Sequence, residues 1–437
     1  MMKDTVQLEE IGHPMHKPRS RFVLAVASLP LLLVLLLPSG AWATAREKVI
    51  YSFTGGSDGS SPIGILTLDK KGNLYGAASR GGSSQNGVVF ELTPGPGGQW
   101  TETVLYTFSG TDGALPFGGV IFDKAGNLYG VTRGGGNNAC FSGCGTVFEL
   151  TPGANGQWTE TVLYAFTGGS DGGAPDTKLI FDEAGNLYGT TNGGGDASCG
   201  CGTVFELTPG LSVPWTETVL HAFKGGTDGA SPVFAGLTFV GDNLYGTTAV
   251  GGQYGIGTIF ELAPAKDGAW RETILHAFKG GSDGYAPAAG LALFEGKLYG
   301  TTYAGGALSC GSVNGCGTVF QLKQNARGKW AKTVIHKFHG SDGIETLATP
   351  VLDKAGHLYA TTFEGGSGPC TVCGTAFELT PTANGPWHET VLHDFGSRIN
   401  DAGTPVGGLI INKAGHFFGT TEGGGTNGVG AVYEITP

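Results

Sequence analysis

Four ionisable side chains near one end of the repeating unit are not repeated from copy to copy: Glu345, Glu364, Glu422 and His339. Paired carboxylates, or a carboxylate with a base, are the minimum for acid–base cleavage of a polysaccharide, and they must lie roughly 5–10 Å apart. These four are therefore the candidates for catalysis. A second set, Ser79, Arg133, Asn192, Ala249, Tyr303, Phe363 and Glu422, occupies a single recurring position with seven different chemistries. Mixed residues on an otherwise constant frame suit ligand recognition, and they equally suit an unconstrained loop.

Eight cysteines form four local pairs, Cys140/Cys144, Cys199/Cys201, Cys310/Cys316 and Cys370/Cys373. Each pair sits in a Gly-rich insertion, and pairing within the insertion restricts a segment that has little else to order it. The Cys199-Gly200-Cys201 spacing is tight for a disulfide. A zinc site needs two converging Cys-x-x-Cys elements. Only Cys370/Cys373 has that spacing, so no metal and no cofactor are expected.

Asp58, Asp112, Asp171, Asp228, Asp283, Asp342 and Asp401 lie in Gly/Ser-rich turns, where an Asp side chain bonds its own backbone. Calcium is the alternative, although each turn offers one carboxylate. His221, His276, His336 and His393 share a slot with Tyr51, Tyr106 and Tyr164. A slot that accepts Tyr or His reads as a packed ring making one polar bond.

These residues are carried by a repeat. Its core is Asn-Leu-Tyr-Gly at Asn73, Asn127, Asn186 and Asn243, with Lys297, His357 and His416 at the same position later, giving seven copies spaced 54 to 60 residues apart. The loop between Tyr-Gly and Val-Phe-Glu-Leu absorbs nearly all the length variation, so the remainder of each unit must be packed. Four short strands with period-two patterning fit each copy, in the second copy Val120–Asp123, Leu128–Thr132, Thr146–Thr151 and Trp158–Phe166. With 81 Gly and 14% charged residues but a regular aromatic and β-branched set, the chain reads as all-β rather than disordered. Four-stranded units of this size predict propeller blades, here seven. Residues 48–53 match the end of a fourth strand, and residues 431–435 form a third strand with no fourth after it. The first strand is thus expected to close the last blade and remove an exposed edge. The loops after the second and fourth strands of each blade would share one face, where the mixed set and the four catalytic candidates fall.

Residues 1–43 read as a signal peptide, with Lys17, Arg19 and Arg21 ahead of an apolar run from Phe22 to Leu37 and Ala41-Trp42-Ala43 at the cleavage point. The apolar run is shorter than a membrane span of roughly 20 residues; an uncleaved anchor is the alternative. Residues 44–437 would form a single propeller. The net charge of −11 argues against nucleic acid and anionic membranes as partners. Secretion or residence in the periplasm as a monomer, without stable membrane insertion, is the expected fate.

The succession GNLYGTT, Gly-rich loop, GTVFELTP, WTETVLY, GGSDG resembles the GloVer tandem repeat of exported bacterial choice-of-anchor proteins, from about Val49 to Pro437. The resemblance implies export and a propeller-like repeat, and brings no catalytic residues. In many members it also implies a C-terminal anchor segment. This sequence stops at Ile435-Thr436-Pro437 without an apolar tail, which fits a freely secreted or periplasmic form. Two functions remain: a non-catalytic module binding a glycan or protein through the variable face, which is preferred, and a polysaccharide hydrolase or lyase at the channel mouth.

Overall fold

The five-residue segment that reads Leu-Tyr-Gly-x-Thr in four copies, and a variant of it in the other three, is buried along its whole length in every copy, as in Leu74–Ala78, Leu128–Thr132 and Leu187–Thr191. A strand with both faces covered must sit between two other sheets, so the copies pack face to face. The computed structural model describes residues 45–437 apart from 211–213, 235, 312–313, 371 and 384–385. The leader assigned to residues 1–43 lies outside the described residues.

Seven four-stranded antiparallel sheets result, six of them with their strands in sequence order. We label the strands of a blade A to D from the channel outward. In blade 2 they are Val120–Phe122, Leu128–Thr132, Thr146–Pro152 and Trp158–Ala165. Blade 7 takes A to C from Ile410–Ile411, Phe417–Thr421 and Ala431–Thr436, and its D strand is Arg46–Ser52 from the start of the propeller. The closing ladder runs from Arg46 opposite Thr436 to Ser52 opposite Ala431, with a bulge between Val49 and Tyr51. The ring closure expected from the sequence is observed.

The core lies at the seven blade boundaries. Each boundary holds an edge-on aromatic pair with ring centres about 5 Å apart: Phe53–Phe90, Phe108–Phe148, Phe166–Phe205, Phe223–Phe260, Phe278–Phe320, Phe338–Phe377 and Phe395–Tyr433. Gly76 is required beside one of these rings, because a Cβ there would lie 2.6 Å from Cζ of Phe90. Tryptophans at the start of the D strands pack on the preceding blade, as Trp330 does on Tyr245 at 5.7 Å. Buried threonines join strands B and C in five blades, with Thr132 Oγ1 2.8 Å from Thr146 Oγ1 in blade 2.

Candidate functional site at the channel mouth

Each D–A loop contains a residue with positive φ that is not glycine: Ser61, Leu115, Ala174, Ser231, Ala286, Glu345 and Thr404, all with φ between 49° and 60°. Seven such residues at equivalent points need a framework that over-determines them. Two backbone bonds supply it. Ala174, for example, donates its N–H to the Cys144 carbonyl of blade 2 and accepts from the Asn192 N–H of blade 3. Each of these residues therefore ties one blade to the next around the mouth.

The second bond explains the mixed set. Ser79, Arg133, Asn192, Ala249, Tyr303, Phe363 and Glu422 each donate a backbone N–H to the positive-φ residue of their own blade. The constant part of this position is its backbone, which leaves the side chain free to differ. Ser79 is buried and hydrogen-bonded to the Ser61 carbonyl at 2.9 Å, whereas Glu422 is exposed. Arg133 turns toward the channel and stands 5.3 Å above the Phe117 ring.

Inside the ring, short A strands and glycines such as Gly64, Gly118 and Gly408 let the backbones converge. A cavity of about 40 Å³ remains at the mouth, lined by Ile63, Phe117, Asp176, Lys178, Phe234 and Val406. This is space for a few water-sized groups. Below it is a chamber of about 360 Å³ lined by Ile121, Lys178, Phe181, Leu237 and Leu291. Lys178 borders both spaces, as do Ile65, Gly236 and Thr349, and it donates from Nζ to Thr67 Oγ1 at 3.2 Å.

Asp176 is 2% exposed, and its Oδ2 has no hydrogen-bond partner. Its Oδ1 accepts weakly from the Phe234 N–H at 3.4 Å. Burial pushes this carboxyl up to about 7, against the pull of the Arg133 guanidinium. Burial alone pushes Lys178 down to about 8. Phe117 and Phe234 approach with their rings nearly parallel, 17° apart in orientation with centres 6.5 Å apart. Reasoning from the sequence passed over Asp176, Lys178, Phe117 and Phe234. Aligning the copies exposes the signal: the channel slots of Asp176 and Lys178 hold Ile63 and Ile65 in blade 1, Phe117 and Gly119 in blade 2, and Val406 and Gly408 in blade 7.

Of the catalytic candidates, Glu345 and Glu364 are neighbours, joined by the bridge between Ile344 and Glu364 and by the Phe363 N–H to Glu345 carbonyl bond. Burial, and then the nearby Glu345 carboxylate, hold the Tyr303 hydroxyl well above its usual range. Burial, and then the Glu345 charge, hold the Glu364 carboxyl above its usual range. The pair belongs to the rim of blade 6 and lines neither channel space. His339 is 60% exposed and lies 3.6 Å from Asp342 instead.

The four cysteine pairs are the disulfides Cys140–Cys144, Cys199–Cys201, Cys310–Cys316 and Cys370–Cys373, with Cα atoms 5.1, 5.2, 5.8 and 5.5 Å apart. Each packs against the glycine turn that follows its own blade, at Gly168, Gly225, Gly340 and Gly396. The four pairings are those expected from the sequence, and the disulfides also reach beyond the insertion. The second cysteine of each pair belongs to the packed blade boundary: Cys144 and Cys316 are fully buried, Cys201 is nearly so, and Cys373 is partly buried against the cluster around Phe395. The carbonyls of Cys144, Cys201, Cys316 and Cys373 also accept the N–H of the positive-φ residues Ala174, Ser231, Glu345 and Thr404 of the next blade. Cys316 and Cys373 are thus parts of the frame around the mouth, and local spacing hides this because the donors come from the following copy.

The Asp turns act as read from the sequence: Asp58 accepts from the Thr54 N–H at 2.7 Å and from Tyr51 at 3.0 Å, and His276 takes the tyrosine's place beside Asp283 at 2.9 Å.

Among solved structures, the chain is similar to a Bacteroides uniformis protein named provisionally as a 6-phosphogluconolactonase (14% identity, 78% of this chain and 86% of that chain, TM-score 0.49). It is also similar to an ancestral GH74 enzyme (11% identity, 86% of this chain and 48% of that chain, TM-score 0.49) and to a Dyadobacter fermentans protein of unknown function (12% identity, 79% and 98%, TM-score 0.42). No curated protein matches it. The Gloeobacter/Verrucomicrobia repeat matches residues 42–198, 99–313 and 306–437, so with its seven copies closed into a ring the chain belongs to that repeat family.

Proposed function

We propose that this propeller is a non-catalytic binding module that engages an extracellular glycan or protein through the face built by its B–C and D–A loops. One observation carries the reading. Among the described residues, six of the seven large apolar side chains left exposed, Phe141, Val250, Tyr254, Leu308, Val372 and Ile399, belong to those loops. Apolar side chains gathered on one face mark interaction surfaces. At the centre of that face, the Asp176 cavity admits one hydroxyl-sized group of a ligand lying across Phe117 and Phe234. Burial of that group would satisfy the orphaned carboxylate oxygen. The disulfides are consistent with an oxidising compartment, and export through the leader as a secreted or periplasmic monomer is part of the same proposal.

The test is a glycan array probed with the purified propeller, alongside D176N and F117A/F234A. Binding by the wild type, lost in both variants at unchanged melting temperature, supports a glycan ligand. Glycan binding that both variants retain sinks the assignment to the mouth. An array without signal, followed by a cell-surface protein retained by the wild type and lost with F141S/V372S/I399S, would assign the face to a protein partner.

The Glu345/Glu364 pair beside Tyr303 favours a second reading, acid–base cleavage of a polysaccharide at the rim. Product release from arrayed glycans, abolished by E364Q, is its signature. Release that persists in E364Q, or no release at all, removes it.

A further inference from the structure

Every D strand except one carries a glutamate facing the Asp turn of the preceding blade boundary: Glu102 toward Asp58, Glu160 toward Asp112, Glu217 toward Asp171, Glu272 toward Asp228, Glu389 toward Asp342 and Glu47 toward Asp401. Two carboxylates side by side repel unless a cation or proton lies between them. In all six glutamates Oε1 is buried without a hydrogen-bond partner. The exception is informative. Blade 5 has Lys332 in this position, and its ammonium sits 3.0 Å from Asp283 Oδ1 and also bonds the Asp283 backbone carbonyl. One copy of the repeat therefore supplies its own cation where the others present an unsatisfied oxygen.

Three of these six boundaries also carry an imidazole, His221, His336 and His393; among the described residues, the ligand atoms of the histidine and both carboxylates converge at two of them. His393, Asp401 and Glu47 bring their ligand atoms within 4.8 Å of one another and are all buried, and His221, Asp228 and Glu272 do the same in a partly buried setting. His393 Nε2 lies 3.2 Å from Asp401 Oδ2 and 3.9 Å from Glu47 Oε2. His221 Nε2 is likewise 3.2 Å from Asp228 and 3.9 Å from Glu272. A tetrahedral ion with bonds of about 2.0–2.1 Å sets neighbouring donors about 3.3 Å apart, so both triads need only a slight contraction. The Glu47 side chain is 4% exposed, with one carboxylate oxygen orphaned and the other directed at the imidazole. Arg398 adds some positive charge near Glu47 without a direct bond to it.

We propose that these two triads each bind a divalent cation of the zinc class, with water completing the coordination. Imidazole with two carboxylates suits zinc and its neighbours better than calcium, which takes oxygen ligands alone. Taken singly, an Asp turn gives no reason to expect a metal, because its glutamate partner comes from the next blade. Glu47 lies on the closing strand, whereas His393 and Asp401 belong to blade 6 and its outgoing loop. The ion at this triad fastens the closing strand to the neighbouring blade.

The repeat supplies variants that keep the fold. E272K copies the arrangement at Lys332, and H221Y and H393Y copy the tyrosines of blades 1, 2 and 7. The full propeller, stripped with EDTA and titrated with zinc chloride alone in a calorimeter, is expected to take up two equivalents. E272K or H221Y should lower this to one, as should H393Y, and E272K/H393Y should leave none. K332E should add an equivalent by completing His276 and Asp283. Hydrogen exchange provides a second readout: zinc should slow exchange across residues 46–52 at least tenfold in the wild type and leave H393Y unchanged. Uptake that these substitutions do not alter, or no uptake by the folded wild type, overturns the proposal.

Discussion

Lys332 Nζ lies 3.0 Å from Asp283 Oδ1, and the lysine side chain is only 2% exposed. The same ammonium stands 4.6 Å from the Phe278 ring centre and 5.3 Å from that of Phe320, so it also touches the aromatic pair at this blade boundary. Burial works against ionisation of Asp283, but His276 and Lys332 outweigh it and hold the carboxyl well below its usual range.

Replacing this lysine should cost far more than a surface salt bridge is worth. Removing one partner of a buried pair leaves the other charge uncompensated. Lys332→Met is expected to lower stability at pH 7 by about 3 kcal/mol, measured by urea unfolding. A loss under about 1 kcal/mol would mean that His276 alone satisfies Asp283.

The carboxyl pairs of blades 1 and 2 predict a pH dependence. Burial first, and then the charges of Asp58 and Asp112, push Glu102 and Glu160 up to about 7. A carboxyl whose folded value exceeds its unfolded one stabilises fully below the unfolded value, and that stabilisation is lost as pH rises through the folded one. The relevant window runs from about pH 4.5 to above 7. E102Q/E160Q should therefore match the wild type near pH 5 and exceed it near pH 8, by roughly 1–2 kcal/mol per site after allowance for partial exposure. Equal stabilities at both pH values would refute the assignment.

The disulfide loops predict a difference between two repairs. Cys144 is fully buried, and the equivalent position in the three loops without a disulfide holds Ile256, Val429 or Asn86, each facing the corresponding glycine turn. An aliphatic residue fits this site, whereas a serine hydroxyl would be buried there. C140A/C144V is expected to retain about 1–2 kcal/mol more stability than C140S/C144S in thermal unfolding. If the serine variant proves equal or better, the pocket behind Gly168 is not apolar.

Architecture was readable from this sequence because the relevant contacts repeat seven times at nearly fixed spacing. Strand periodicity, the missing fourth strand and the cysteine pairs are properties of a single copy or of the chain ends. The inward role of Cys316 and Cys373 was not readable, since the residues they hold, Glu345 and Thr404, lie in the following copy. The channel site was hidden because Asp176 and Lys178 sit within the most regular copy, where they pass as part of the pattern. The Glu–Asp pairs were hidden for another reason: Glu102 meets Asp58 across a blade boundary, so neither looks paired within its own turn. Glu345 and Glu364 were identifiable as exceptions, but their adjacency depends on a bridge between two loops of blade 6 that no local spacing reveals.

The ladder between Arg46–Ser52 and Ala431–Thr436 also governs the order of events during folding. Its two strands are the first and last of the ring, so they can meet only after the intervening six sheets have stacked to the correct curvature. Loop-closure entropy makes such a contact late and slow relative to the hairpins inside each blade. Before that moment Ala431–Thr436 offers a bare edge, and a second molecule's Arg46–Ser52 could add to it as readily as its own. Crowding of nascent chains would then favour strand-exchanged chains of rings, and dilution would favour the solitary toroid.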